Sequence, residues 1–429
     1  MPFSIRKVKF LAGQVIQNQK FSKKQELIEI GYQVAEKQAV YLDYQASTPL
    51  SERAYEAMKH AEEVGFANPH SSEHAFGWRS AEIVETAARE VANFVGAVES
   101  EIVFTSGATE ANNLAVIGTG LSGYVGGKRK KIIVSQIEHK CILGAARFLE
   151  ENFSYQIVKA EVGNDGLLNL ERLEKAIDGE TLLVSVMAVN NEIGSCQPIK
   201  EISQLCHNAG AIFHVDAAQA VYREIDVVED GIDLLSLSSH KMYGPKGIGA
   251  LFINRFIEVE PTPLFHGGGQ QGGYRSGTVP TSLVAGFAEA VKEISENREA
   301  EKRYVLSLRD FMWKSLKKEL PDCKLNGSLE YRHPGNINVV LPDIDAKLLI
   351  GNLQPEIAIS TGSACTSGIQ EPSHVLRAIG LNSEDSESSI RISVGRYTTQ
   401  KEIEYAISRI ACAARSYKSE FSDSQKAII

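Results

Sequence analysis

From about residue 41 onward, short unbroken apolar runs alternate with stretches whose apolar positions recur at helical spacing. The runs fall at 101–104, 131–134, 181–189, 211–215, 234–237 and 249–253. Strands without polar alternation are those buried on both faces, so the pattern predicts a mostly parallel sheet covered by helices on each side. Ala81, Val84, Ala88, Val91 and Val95 share one helical face and predict a helix over 77–94. Another helix is expected after the turn at Thr48-Pro49. Around 261–280 the composition shifts to Gly, Pro and Gln, which reads as an ordered functional loop because helical sequence resumes near Thr281.

From about residue 299 the pattern changes to a helix at 301–319, a strand at 336–341, a small-residue loop around Cys365, a strand at 390–394 and a closing helix from 400. The expected organisation is an N-terminal extension (1–40), a large α/β domain (51–298) and a smaller α/β domain (299–429, with 41–50). A chain of 429 residues suits two domains.

Charge and cysteine content narrow the classes. The 45 basic and 54 acidic side chains leave a formal charge of −9, which does not suit direct nucleic-acid binding by the body of the chain. Residues 1–24 differ, carrying Arg6, Lys7, Lys9, Lys20, Lys23 and Lys24 with no acid, and read as a solvated arm or small helical extension in preference to an organellar transit peptide or a nucleic-acid-touching arm. The six cysteines form no C-x-x-C pair, which favours a reducing compartment over a zinc site or disulfide framework. No apolar run reaches the ~18 residues that cross a bilayer, and the N-terminus lacks a secretory h-region. A cytoplasmic protein without membrane contact is the expectation.

Chemistry collects where the predicted strands end, which is where ligands bind in parallel sheets. Lys241 follows the strand at 234–237, and a lysine there can condense with an aldehyde cofactor. Lys246 competes but lies inside a turn. Asp216 ends another strand and could pair with a protonated ring nitrogen, with Gln219 nearby as a donor. Thr105 to Glu110 open a helix with small residues and hydroxyls, an anion site formed by free backbone N–H groups. Ser238 and His240 could add hydrogen bonds there. His139 follows a further strand and could stack on a ring and shuttle protons. Asn191 offers an amide, and Arg391 offers a guanidinium suited to a substrate carboxylate. Cys365 sits among Ser, Gly, Ala and Thr, a loop able to present a thiol once a neighbour activates it. Cys141, Cys196, Cys206, Cys323 and Cys412 read as small buried residues.

With these residues in view, the chain from about Tyr41 to Arg415 resembles the cysteine desulfurases of aminotransferase class V, which are fold-type-I pyridoxal-phosphate enzymes. The matching stretches include Tyr41-Leu42-Asp43-Tyr44, Phe104 to Glu110, Val189 to Gly194 and Ser239-His240-Lys241. Gly267-Gly268-Gly269, Arg275-Ser276-Gly277-Thr278 and Gly362 to Ser367 match as well. The long cysteine loop, running on to Glu371-Pro372-Ser373, is similar to the subgroup serving iron–sulfur assembly and thiolation.

The resemblance implies a large domain with a mostly parallel seven-stranded sheet and pyridoxal 5'-phosphate bound covalently by Lys241. Asp216 and Gln219 would hold its ring, with His139 stacked on it and acting in catalysis. Ala108, Thr109, Ser238 and His240 would hold the phosphate, joined by Thr278 from a partner subunit, so a homodimer is implied. Asn191, which also lines the cofactor, and Arg391 would hold the carboxylate of L-cysteine. Cys365 would take the sulfur as a persulfide, leaving L-alanine, and pass it to an iron–sulfur scaffold or to an enzyme thiolating tRNA or DNA. No resident metal is implied, although Cys365 could be a transient iron–sulfur ligand. The rival readings are a selenocysteine lyase, another class V aminotransferase and an inactive sulfur-relay scaffold. Gln271 departs from the pattern, standing where relatives often carry an acid, and the C-terminus looks shorter than in members that dock the usual scaffold.

Overall fold

The computed structural model describes residues 39–127, 129–361 and 373–426, with side chains through 419. Cys365 and its loop at 362–372, the basic arm from Arg6 to Lys24 and the rest of the extension through residue 38 lie outside the described residues.

The large sheet has seven strands: β2 (Ile102–Thr105), β3 (Lys131–Ser135), β4 (Gln156–Ala160), β5 (Thr181–Met187), β6 (Ile212–Asp216), β7 (Leu234–Ser238) and β8 (Gly249–Ile253). Their order is β2-β8-β7-β6-β5-β3-β4. Only β8 runs against its neighbours. Successive residues feed opposite faces: Ile133, Phe213 and Leu235 enter one core cluster, while Ile132, Ile212 and Leu234 enter another. That division is why these strands are apolar without alternation, since helices close both faces. β4, at the sheet's edge, mixes polar and apolar positions (Gln-Ile-Val-Lys-Ala), and an apolar-run search passes over it.

The rest of the chain wraps around this layer. Helix Glu52–Val64 starts at Ser51, whose side chain caps the Ala54 N–H, and helix Ala75–Val95 covers the stretch expected at 77–94. Helix Thr281–Glu319 is continuous for 39 residues and runs unbroken through positions 298 and 299. Beyond it, β10 (Asn336–Val340) lies between β9 (Lys324–Leu325) and β12 (Ser389–Ser393), all antiparallel. β1 (Val40–Tyr41) pairs in parallel with β11 (Ile357–Ala358), and Asp43 bridges to Ser393. These pairings hold residues 40–48 against the C-terminal part of the chain and over the end of the large sheet. Among the described residues no helix is long and apolar enough to cross a membrane.

Candidate active site

Because β8 is antiparallel, the carboxyl ends of β2, β3, β5, β6 and β7 share one edge of the sheet with the start of β8. Thr105, Ser135, Met187, Asp216 and Ser238 end those strands, and each leads into a functional segment. At β8's start, Gly249 pairs with both Thr105 and Ser238. A Cβ on Gly249 would lie 2.7 Å from the Gly107 Cα, so only glycine permits this approach. Gly107 itself has φ 147°, a conformation L side chains avoid, and open space where a Cβ would stand. The helix beginning at Ala108 thus starts at the strand ends, with the open space at Gly107 beside its first N–H groups, those of Ala108 and Thr109.

Lys241 lies in the single turn Ser239–Lys241 that follows β7. Its ammonium donates to the carbonyls of Gln45 and Ala46, each at 2.7 Å. Gln219 Nε2 donates to the same Gln45 carbonyl at 2.8 Å, so two expected site residues share one acceptor. His240 Nδ1 lies 3.2 Å from Ser47 Oγ. Burial and then the Lys241 charge push the His240 pKa down to about 4, leaving the ring neutral near pH 7.

Asp216 at the end of β6 has both oxygens engaged. Oδ1 accepts from the Ala218 N–H at 2.9 Å and Oδ2 from Asn112 Nδ2 at 2.7 Å. The Asn112 amide also lies 3.3 Å from Cys141 Sγ, which in turn lies 3.0 Å from His139 Nδ1. His139 caps helix Lys140–Phe153, its Nδ1 accepting from the Cys141 N–H at 3.2 Å. That bond keeps Nδ1 unprotonated in the neutral ring and leaves the proton on Nε2. Burial holds the His139 pKa below its ordinary value. Asp216 pulls it upward and Lys241 downward, and the net effect is downward. Glu138 is fully buried; burial and the nearby Asp216 charge drive its pKa well above the carboxylate range, against one hydrogen bond from the Met187 N–H.

Asn191 and Arg391 meet directly, Arg391 Nη1 donating to the Asn191 carbonyl at 2.6 Å. Arg391 Nη2 is paired with Asp43 Oδ1 at 2.7 Å. Thr278 is exposed in the single chain. Its loop is nevertheless anchored. Arg275 Nε donates to Glu110 Oε1 at 2.9 Å, and the Gln271 amide bonds both backbone groups of Phe104, at 2.7 and 3.0 Å. Burial would raise the Glu110 pKa, but the bonds from Arg275 and Ser106 outweigh it and hold the carboxyl below its usual value.

Cys206 and Cys323 are buried as expected. Cys196 and Cys141 are only partly so, and Cys412 is exposed. Cys141 is the correction that matters. It lies inside the site, beside His139, where burial and then Asp216 lift its thiol to about 12 and keep it protonated. Asp43, Gln45, Asn112 and Glu138 also belong to the site without having been singled out. Asn112 carried one signal, standing four residues after Ala108 and so on the same helical face.

The chain belongs to the aminotransferase class-V family, whose model matches residues 40–406. It is similar to the cysteine desulfurase IscS of Rickettsia bellii, with 44% identity over 372 residues, 86% of this chain and 90% of that relative. Among solved structures, a NifS-like protein superposes with a TM-score of 0.80 at 32% identity, covering 87% of this chain and 98% of that one. SspA in complex with cysteine follows with a TM-score of 0.73 at 36% identity, covering 84% and 100%.

Proposed function

We propose that the chain is a cysteine desulfurase that uses pyridoxal phosphate to move the sulfur of L-cysteine onto Cys365, releasing L-alanine. The observation that carries this reading is the single cluster at the sheet's edge, in which Lys241 and Gln219 share the Gln45 carbonyl beside a doubly held Asp216. The residues fit the cofactor. The open space at Gly107 and the free N–H groups of Ala108 and Thr109 suit a phosphate, with Ser238 and His240 at its border and Thr278 supplied by a second copy in a homodimer. Asp216 would hold the ring nitrogen, Gln219 a ring oxygen, His139 one ring face, and Lys241 the aldehyde carbon. When bound, the cofactor supplies an electron sink for the substrate's α-carbon.

The chain's own groups account for the remaining steps. Arg391 and Asn191 orient the substrate carboxylate. The Lys241 amine, drawn off two carbonyls, takes the α-proton. His139, neutral with its proton on Nε2, can donate and recover a proton at working pH. The Cys365 thiolate forms an S–S bond to the substrate sulfur as the C–S bond breaks. The substrate carbon keeps that electron pair and is protonated to alanine. A relative solved in complex with cysteine supports this choice of substrate.

The persulfide would then pass to an iron–sulfur scaffold or a thiolation enzyme. A reducing compartment such as the cytoplasm suits the five described cysteines, which are free thiols. Replacing Lys241 by Ala tests the cofactor assignment: the variant should purify without the absorbance band of a lysine-bound pyridoxal phosphate. A band retained at wild-type intensity would mean that another lysine, with Lys246 the first suspect, carries it.

A further inference from the structure

Arg391 is almost wholly buried, its side chain 3% exposed, and its charge is answered by a carboxylate of the chain itself. Asp43 Oδ1 accepts from Nη2 at 2.7 Å and the Asn191 carbonyl from Nη1 at 2.6 Å. The third nitrogen, Nε, is buried and meets no acceptor among the described residues. A buried guanidinium with a donor left over has capacity for another acceptor. The two partners are not equally fixed. Arg391 sits in β12 between pairings to β10 and to Ser360, whereas Asp43 is 17% exposed and its Oδ1 also accepts from Ser360 Oγ at 3.2 Å. If Asp43 leaves Arg391, it keeps a hydroxyl donor and reaches water; Arg391 keeps only the neutral Asn191 carbonyl.

We propose that Asp43 is a resident stand-in for the substrate carboxylate, neutralising Arg391 in the resting protein and giving way when the α-carboxylate of L-cysteine arrives. This rests on the reading of Arg391 as the carboxylate-binding residue. Two carboxylates on one guanidinium repel each other, so each substrate molecule binds against the Asp43 pairing. Asp43 thereby sets substrate affinity without touching the reacting atoms. It keeps a buried charge paired in the free protein, and the site binds its ligand less tightly as a result.

The sign of one effect decides the matter. In cofactor-loaded full-length protein, Asp43→Asn should lower KM for L-cysteine and the dissociation constant for L-alanine, each about fivefold, equivalent to about 1 kcal/mol. L-alanine should also raise the melting temperature of Asp43→Asn more than that of the wild type. Ser360→Ala, which removes the alternative partner of Asp43, should shift KM upward and serves as the second arm should Asp43→Asn fail to fold. An Asp43→Asn protein whose KM and alanine affinity are unchanged or weakened overturns the proposal, because Asp43 is then inert or merely orients Arg391. An unchanged or lowered KM in Ser360→Ala likewise counts against it. Arg391→Lys separates the two levels. If it leaves alanine affinity intact, the underlying assignment of Arg391 fails; if it weakens binding while Asp43→Asn does so too, only the stand-in role fails.

Discussion

Asn112 shows how much one buried amide can determine. Its Nδ2 reaches Asp216 Oδ2 at 2.7 Å, and the Ala218 N–H holds the other oxygen, so the carboxylate is fixed in orientation, as the proposed hold on a ring nitrogen requires. Asn112→Ala should leave Asp216 held on one side only, lowering kcat about tenfold with little change in KM, the pattern of an interaction that matters chiefly in the transition state. Steady-state alanine formation measures the split. Beyond its place four residues after Ala108, the sequence does not mark Asn112, because its partner lies 104 positions away and an amide near a helix start has many ordinary roles. The Asp43–Arg391 pair, 348 positions apart, was hidden for the same reason, although Arg391 was legible on its own. Lys241, Asp216 and His139 were legible because each stands within about five residues of the end of an apolar run, and strand ends are where a parallel sheet gathers its chemistry.

At the scale of elements, the edge strand β2 depends on a loop far along the chain. The Gln271 side chain gives its carbonyl oxygen to the Phe104 N–H and its amide to the Phe104 carbonyl, occupying backbone groups that an edge leaves open. An amide can do both; a carboxylate offers acceptors only. Gln271→Glu should therefore cost about 1–2 kcal/mol, read from the denaturant midpoint, through a lost bond and a carboxylate set against a carbonyl. Gln271 is thus more than a neutral departure from the family pattern. The strands β5 to β8 were readable because burial on both faces keeps them mostly apolar. β4 escaped because its exposed edge admits Gln156 and Lys159. Helix Thr281–Glu319 was recognised only in pieces, since its buried face passes from the large sheet's helices to the closing helix along its length.

For the whole molecule, buried histidines set the response to acid. Burial lowers the pKa of His214 and of His333 to about 3, and burial with the Lys241 charge lowers that of His240 to about 4, from an ordinary 6.5. Between those values the unfolded chain binds protons that the native protein refuses. Their contribution is therefore complete above about pH 6.5 and is lost progressively as pH falls toward 4 for His240 and toward 3 for His214 and His333. Glu138 and Glu301, raised chiefly by burial, work in the opposite sense by penalising the native state as pH climbs above the ordinary carboxylate value. A single-site comparison isolates one term. The stability lost between pH 7 and pH 5 should be smaller in His333→Asn than in the wild type by about 2 kcal/mol, measured by urea unfolding at both pH values. The proposed reaction needs a thiol as well as the cluster at the sheet's edge, and that thiol is assigned to Cys365. The most direct test of the account incubates cofactor-loaded protein with L-cysteine, quantifies alanine and maps added sulfur by mass spectrometry. The account predicts alanine formation with one extra sulfur on Cys365, and neither alanine turnover nor added sulfur in Cys365→Ala despite retained cofactor absorbance; alanine output from Cys365→Ala equal to that of the wild type would contradict it.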